Sequence, residues 1–359
     1  MDFIVDELLT LVSLSVSVCL CLSLSLSLYV YLSLCLYVSL SLCLSLKLIG
    51  CLHQGSSQKH FVSGQVALIV GGELSGNSIS SVEIYSPDGG CQYSLTALPL
   101  PLTGLTLGLR NTDVFACSGY DTTTRLNNQK CWRYSILGNN WVGVGQLAST
   151  KPKYPAKSFQ SNLYFINDEP GEYYSPYSGV VPWTTRPPSM LGEGACSIIW
   201  GSAVVIFGGG IAKTAVQMFD FYTRTWKILA PMTMAHAFFG CVLLPDSNLV
   251  LVVSTTPGGN EKRSDIYDLV NNIWNVTGST VHPRAGTTLV ALGKRVFAMG
   301  GNSNPSPTSL AATVEEYDIG MGTWSLVSTP LLNARVNFAA LSLPAVIFSY
   351  LPQGCMGVQ

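Results

Sequence analysis

Between residues 65 and 345 short apolar runs alternate with stretches rich in Gly, Ser, Thr, Asn and Pro. No helical period is sustained there, so the pattern predicts many short strands joined by tight turns. Six runs stand out: "VALIVGG" (Val66–Gly72), "VFACSGY", "LYFINDE", "VVIFGGG", "LVLVVST" and "VFAMGG" (Val296–Gly301). An uninterrupted apolar run ending in small residues reads as a buried strand that finishes where two backbones come close. The doublet glycines are Gly71-Gly72, Gly208-Gly209 and Gly300-Gly301.

A second landmark follows each run. An aromatic residue stands seven positions ahead of a tryptophan in "YSILGNNW" (Tyr134, Trp141), "FDFYTRTW" (Phe219, Trp226), "YDLVNNIW" (Tyr267, Trp274) and "YDIGMGTW" (Tyr317, Trp324). Looser copies are "YSPYSGVVPW", ending at Trp183, and "YSPDGGCQY" (Tyr85, Tyr93). The aromatic ends lie 42 to 50 residues apart. Each unit therefore reads as strand a, strand b ending at the small residues, strand c carrying the Tyr, and strand d starting at the Trp.

Four antiparallel strands recurring at this period predict an all-β propeller of six four-stranded blades. A single such sheet buries neither face alone, so neighbours must stack around an axis. The first unit has no convincing strand a, and "ARVNFAALSL" (Ala334–Leu343) supplies one after the sixth Trp, predicting closure of the first blade by a C-terminal strand. The expected organisation is a propeller over 63–345 and a tail over 346–359.

Residues 1–62 stand apart. From 8 to 46 the chain is an alternation of Ser with Leu, Val, Cys and Tyr, without one charge. Three readings compete: a membrane span, with Lys47 and Lys59 placing the remainder on the cytoplasmic side; a targeting segment, against which the acidic "MDFIVDE" head and the excessive length count; or a translated pyrimidine dinucleotide tract, whose codons give Ser and Leu in alternation. A membrane partner is expected only if this segment is genuine.

The combination of Gly-Gly after an apolar strand, Tyr-Asp, Trp seven residues on, and Arg opening the next strand resembles the Kelch repeat across residues 65 to 345. The third unit lacks the glycine pair and the fifth has Ser254-Thr255 there. The resemblance implies a propeller used as a protein-binding platform. The BTB and BACK domains that precede it in ubiquitin-ligase receptors have no counterpart in this sequence.

Charged residues make up 11% of the 359 and the net charge is −1, which argues against a nucleic-acid partner. No nucleophile elbow, Walker loop or HExxH is present, and "GGGIAK" falls on the glycine beat of a blade. With His236 and His282 the only repeat histidines, no metal or other cofactor is expected, and no catalytic residue is assigned. The candidate ligand-binding residues open strand a on one face: Arg284, Arg335 and His236, with Glu193 and Tyr154 before them. Arginine can fork onto a carboxylate, or it can tie the blade together through backbone carbonyls. Polar b–c segments such as "ELSGNSIS" and "DTTTRLNNQK" are the expected specificity loops.

Cys117 and Cys131 flank one such loop, as a cross-strand disulfide or as two buried thiols. Cys196 and Cys241 are expected as core residues. The cysteines and the sequon at Asn275 tilt towards a secreted or lumenal location, while Lys47 tilts towards membrane anchoring or the cytoplasm. The functional expectation is a monomeric, non-enzymatic propeller that binds a protein or peptide on its loop face; the alternative is a carbohydrate-active or galactose-oxidase-like enzyme.

Overall fold

The computed structural model describes residues 64–348, except 90, 111–112, 148–155, 160–161, 166–171, 176–178, 183–187, 189–193, 211–212, 236–237, 255–261 and 302–310. The chain divides into Met1–Lys59 and His60–Gln359, and every described residue belongs to the second unit. The expectations for residues 1–62 therefore lie outside the described residues. Among the described residues no helix is long and apolar enough to cross a membrane.

The described strands form six four-stranded antiparallel sheets, each in the order a-b-c-d, and two small ribbons. The a strands of the six sheets are Ala339–Pro344, Thr106–Arg110, Ala156–Phe159, Cys196–Trp200, Gly240–Leu243 and Thr288–Leu292. Each a strand neighbours the a strand of the next sheet, from Thr106–Arg110 through to Ala339–Pro344 and back again. The architecture is an all-β propeller.

The two extremes of the described chain meet in the first sheet. Ala339–Pro344 pairs with Gln65–Val70 from Val70↔Ala339 to Gln65↔Pro344, so that the strand arriving last covers the open edge of the strand arriving first. Beyond it, Ala345–Phe348 forms a 3-10 turn, and Phe348 is buried with Val66 and Leu68. The body thus extends past the expected start of the tail at residue 346, because Phe348 fills space against the first sheet.

Burial follows the position of each strand. Val66–Val70 and Ala203–Phe207 are buried at every residue, since both faces of a b strand are covered by adjacent sheets. At the rim, Thr225–Leu229 buries only its last residue fully.

The aromatic spacing is a hairpin register. Tyr134 faces Trp141, Phe219 faces Trp226, Tyr267 faces Trp274 and Tyr317 faces Trp324. Their ring centroids are 4.7 to 5.1 Å apart, a favourable tilted contact. Trp183 lies outside the described residues.

A girdle of main-chain hydrogen bonds joins neighbouring sheets two residues before each a strand. Gly104 N–H donates to Asn337, Asn337 to Gly286, Gly286 to Phe238 and Phe238 to Gly194, at 2.8 to 2.9 Å. All five have positive φ, between 52° and 76°. Glycine adopts this conformation freely and Asn tolerates it, whereas Phe238 holds it at a cost.

Candidate binding face

The face carrying the b–c loops is built around the residue four positions ahead of each a strand. Arg284 and Arg335 occupy that place in the sixth and first sheets. Both are buried, at 1% and 0% exposure. Arg284 donates through Nε to Glu315 at 2.9 Å, through Nη1 to the carbonyls of Gly300 and Thr313 at 2.6 and 3.0 Å, and through Nη2 to Thr313 Oγ1 at 3.0 Å. Arg335 repeats this with Gly71 O at 2.7 Å, Ser81 O at 3.3 Å and Ser81 Oγ at 3.0 Å, and stands 3.3 Å from Glu83. Each guanidinium therefore joins the end of strand b to the start of strand c within its own sheet, and directs its donors inward rather than to the loop face.

The acids are the residues that sequence reasoning missed. Glu83, Asp265 and Glu315 each stand two positions ahead of a repeat tyrosine, Tyr85, Tyr267 and Tyr317, and are 0%, 2% and 0% exposed. That spacing was visible in the sequence. Where strand a is preceded by His236 instead of Arg, Asp265 is gripped by Arg263 on its own strand, through Nε and Nη2 at 2.8 and 2.9 Å. The fourth sheet carries Gln217 in the same place and the second carries Trp132, whereas Glu83, Asp265 and Glu315 each meet an arginine.

Burial pushes the Glu83 carboxyl above its ordinary range, against the lowering pull of Arg335. Burial likewise lowers Arg335, opposed by Glu83, and lowers Arg284, opposed by Glu315. Glu315 also accepts backbone N–H bonds from Val281 and His282, at 2.7 and 2.9 Å. Glu83 Oε1 has no hydrogen bond.

His236, Glu193 and Tyr154 lie outside the described residues.

The glycine pairs are placed by close approach. A Cβ on Gly71 would lie 2.4 Å from Leu105 Cδ2 and 2.5 Å from Leu102 O. The second glycine of the pair reaches the next sheet, with Gly72 N–H donating to Leu102 O and Gly301 N–H to Arg335 O, at 2.9 and 3.1 Å. Gly208 and Gly209 also have positive φ, at 55° and 91°.

In the first, second, fifth and sixth sheets the repeat tyrosines and tryptophans fasten the sheet to the one before it. Tyr134 donates to Asn139 Oδ1 at 2.6 Å, and the same oxygen accepts Thr96 N–H at 3.0 Å. Trp141 Nε1 donates to Thr96 O at 3.0 Å. Asn272 and Trp274 clamp both polar groups of Ala230 at 2.7 and 3.0 Å, with Tyr267 donating to Asn272. Tyr85 donates to Thr329 O at 2.9 Å, and Tyr317 bonds Thr277. In the fourth sheet Phe219 lacks the hydroxyl, Arg224 stands where Asn would, and Trp226 Nε1 has no partner among the described residues.

Two b–c segments are ordered as ribbons. Glu73–Leu74 pairs with Asn77–Ser78, and Tyr120–Asp121 with Leu126–Asn127. They are bonded to each other: Ser78 N–H donates to Thr122 Oγ1 at 2.6 Å, and Thr122 N–H to Ser78 Oγ at 3.2 Å. Their tips, including Ser75, Asn77, Arg125 and Leu126, are exposed. Cys117 and Cys131 are disulfide-bonded across strands b and c at the base of the second ribbon. Cys196 and Cys241, expected as unlinked core residues, are also disulfide-bonded; they lie on adjacent a strands, which stacking of the sheets brings within reach. Among the described residues no group of His, Cys, Asp or Glu could hold a metal ion.

The Kelch motif model matches residues 283–331, a span that contains Arg284, the Gly300-Gly301 pair, Glu315, Tyr317 and Trp324. The chain carries a Kelch motif there and is similar to Kelch-like proteins. Kelch-like protein 21 of Danio rerio is 22% identical over 265 residues, covering 73% of this chain and 42% of its own length. Kelch-like protein 40 of Mus musculus is 30% identical over 228 residues, covering 59% and 37%. Kelch-like protein 40 of Xenopus tropicalis is 20% identical over 235 residues, covering 60% and 38%. The chain spans about two fifths of the length of these relatives. In Kelch terms, the arginine, the glycine pair and the Tyr–Trp hairpin are its frame, and the b–c ribbons are what the frame holds out to solvent.

Proposed function

We propose that the chain is a six-bladed Kelch propeller, closed by its C-terminal strand, that acts as a non-enzymatic module binding a protein or peptide partner on the b–c loop face. The observation that carries this reading is the pair of ribbons at 73–78 and 120–127, held together through Ser78 and Thr122 and anchored by the Cys117–Cys131 bond. Fixing an exposed loop in advance lowers the entropy lost on association, and the ribbon tips stand out in solvent while their bases are bonded to neighbouring sheets through Glu73 and Tyr120. Arg284 and Arg335 serve this function indirectly, by setting the strand ends from which the loops leave. The ring is proposed to act as a monomer, and His236 remains a candidate contact on the same face.

The test replaces Ser75–Asn77 and Thr123–Leu126 with Gly/Ser sequences in the full chain and compares captured proteins with those of the wild type by quantitative mass spectrometry. The reading expects at least one partner retained by the wild type and lost from the variant, with the melting temperature within about 2 °C. Identical capture by both proteins would refute it.

A further inference from the structure

The six a strands surround an open cavity of about 220 Å³. Every sheet contributes the first residues of its a strand to the wall, and the main-chain girdle through Gly104, Gly194, Phe238, Gly286 and Asn337 surrounds it. Among the described residues of the wall, Lys157 is the one that carries a charge. Lys157 is the second residue of its a strand, a place filled in the other sheets by Leu107, Ser197, Cys241, Leu289 and Ala340. Among the described residues no acid lines the cavity, and Cys196 and Cys241 in its wall are bonded to each other. Among the described residues no hydrogen bond or ion pair holds the Lys157 ammonium.

We propose that this cavity is a binding site for a small organic carboxylate, with the Lys157 ammonium as its counter-charge. Lys157 is partly buried in the cavity wall, and an anion delivered from solution offsets the partial loss of hydration at its ammonium. Desolvation pulls the amine down to about 8, so it is still charged at neutral pH and ready to pair. Ser197 and Asn337 in the same wall supply hydroxyl and amide groups for the remaining carboxylate lone pairs. Size and charge narrow the class. The cavity is smaller than the roughly 300–1,000 Å³ typical of drug-sized sites. A single ammonium balances a monocarboxylate, whereas a phosphate near two charges would leave excess negative charge in a neutral wall.

The full chain is melted at constant ionic strength in sodium acetate, propionate, chloride and phosphate, alongside Lys157→Met. At about five times its dissociation constant, a carboxylate should raise the wild-type melting temperature by about 2–4 °C and leave Lys157→Met unmoved, while chloride and phosphate do neither. The variant alone should melt no lower than the wild type. An equal rise in both proteins, an equal rise with chloride, or no rise with any carboxylate overturns the proposal. If Lys157→Met does not fold, calorimetric titration of the wild type decides: carboxylate affinity falls about tenfold per pH unit above the lysine's titration near 8, and a pH-independent affinity rejects the site.

Discussion

Asn272 Oδ1 accepts the backbone N–H of Ala230 at 2.7 Å from across the boundary between two sheets, and the hydroxyl of Tyr267 fixes that oxygen in place. Asn139 does the same for Thr96 in another pair of sheets. The repeat tyrosine therefore acts at a distance from its own ring, by orienting an amide that holds a neighbouring sheet.

Asn272 has φ of 58°, so glycine keeps the backbone conformation while removing the acceptor. Asn272→Gly should destabilise by about 1–3 kcal/mol, the cost of stranding two donors. Asn272→Asp keeps the acceptor and should stay within about 1 kcal/mol of wild type. Urea unfolding of both variants checks this. Equal losses would mean that the side-chain oxygen is not what joins the sheets.

Arg284 with Glu315 offers a sharper contrast between a frame and a ligand site. Removing one partner of a buried pair typically costs about 3–5 kcal/mol, because the other charge is left uncompensated. Arg284→Met should show that loss in denaturant unfolding. Adding Glu315→Gln, which removes the stranded charge and keeps one acceptor oxygen for either the Val281 or the His282 N–H, should return more than about 1 kcal/mol of it. An Arg284→Met protein as stable as wild type would return this residue to the candidate ligand contacts.

Glu83 should produce a pH signature. Its carboxyl is raised above the unfolded value of 4.5 by burial, with Arg335 opposing, so the folded state binds more protons than the unfolded state once pH passes that value. Stability from this group is full below pH about 4.5 and declines as pH rises through its folded-state titration. The melting temperature of Glu83→Gln relative to wild type should therefore rise with pH from about 4.5 upward. A flat difference between the two, measured by calorimetry from pH 4 to 8, would show that Arg335 fully compensates the carboxylate.

Much of the frame was legible in the chain because it is local. The seven-residue step from Tyr134 to Trp141, or from Tyr317 to Trp324, is the length of a c–d hairpin, and the glycine pair marks where strand b must meet backbone from the next sheet. Periodicity of this kind needs no knowledge of what lies across the fold, and it extended to the strand contributed by Ala339–Pro344. The acids Glu83, Asp265 and Glu315 were equally periodic; their meaning was not, because it depends on a cation arriving from another strand.

Only the tertiary structure decided what sequence-distant residues do to each other. Arg335 and Glu83 are about 250 positions apart, and whether that guanidinium faced a ligand or a buried carboxylate rested on the first sheet being assembled from both ends. The Cys196–Cys241 bond and the cavity that Lys157 lines arise only when a strands become neighbours. Local spacing is fixed by backbone geometry, which the sequence carries in full. Burial and pairing are properties of an enclosed volume, which exists only once the sheets have stacked.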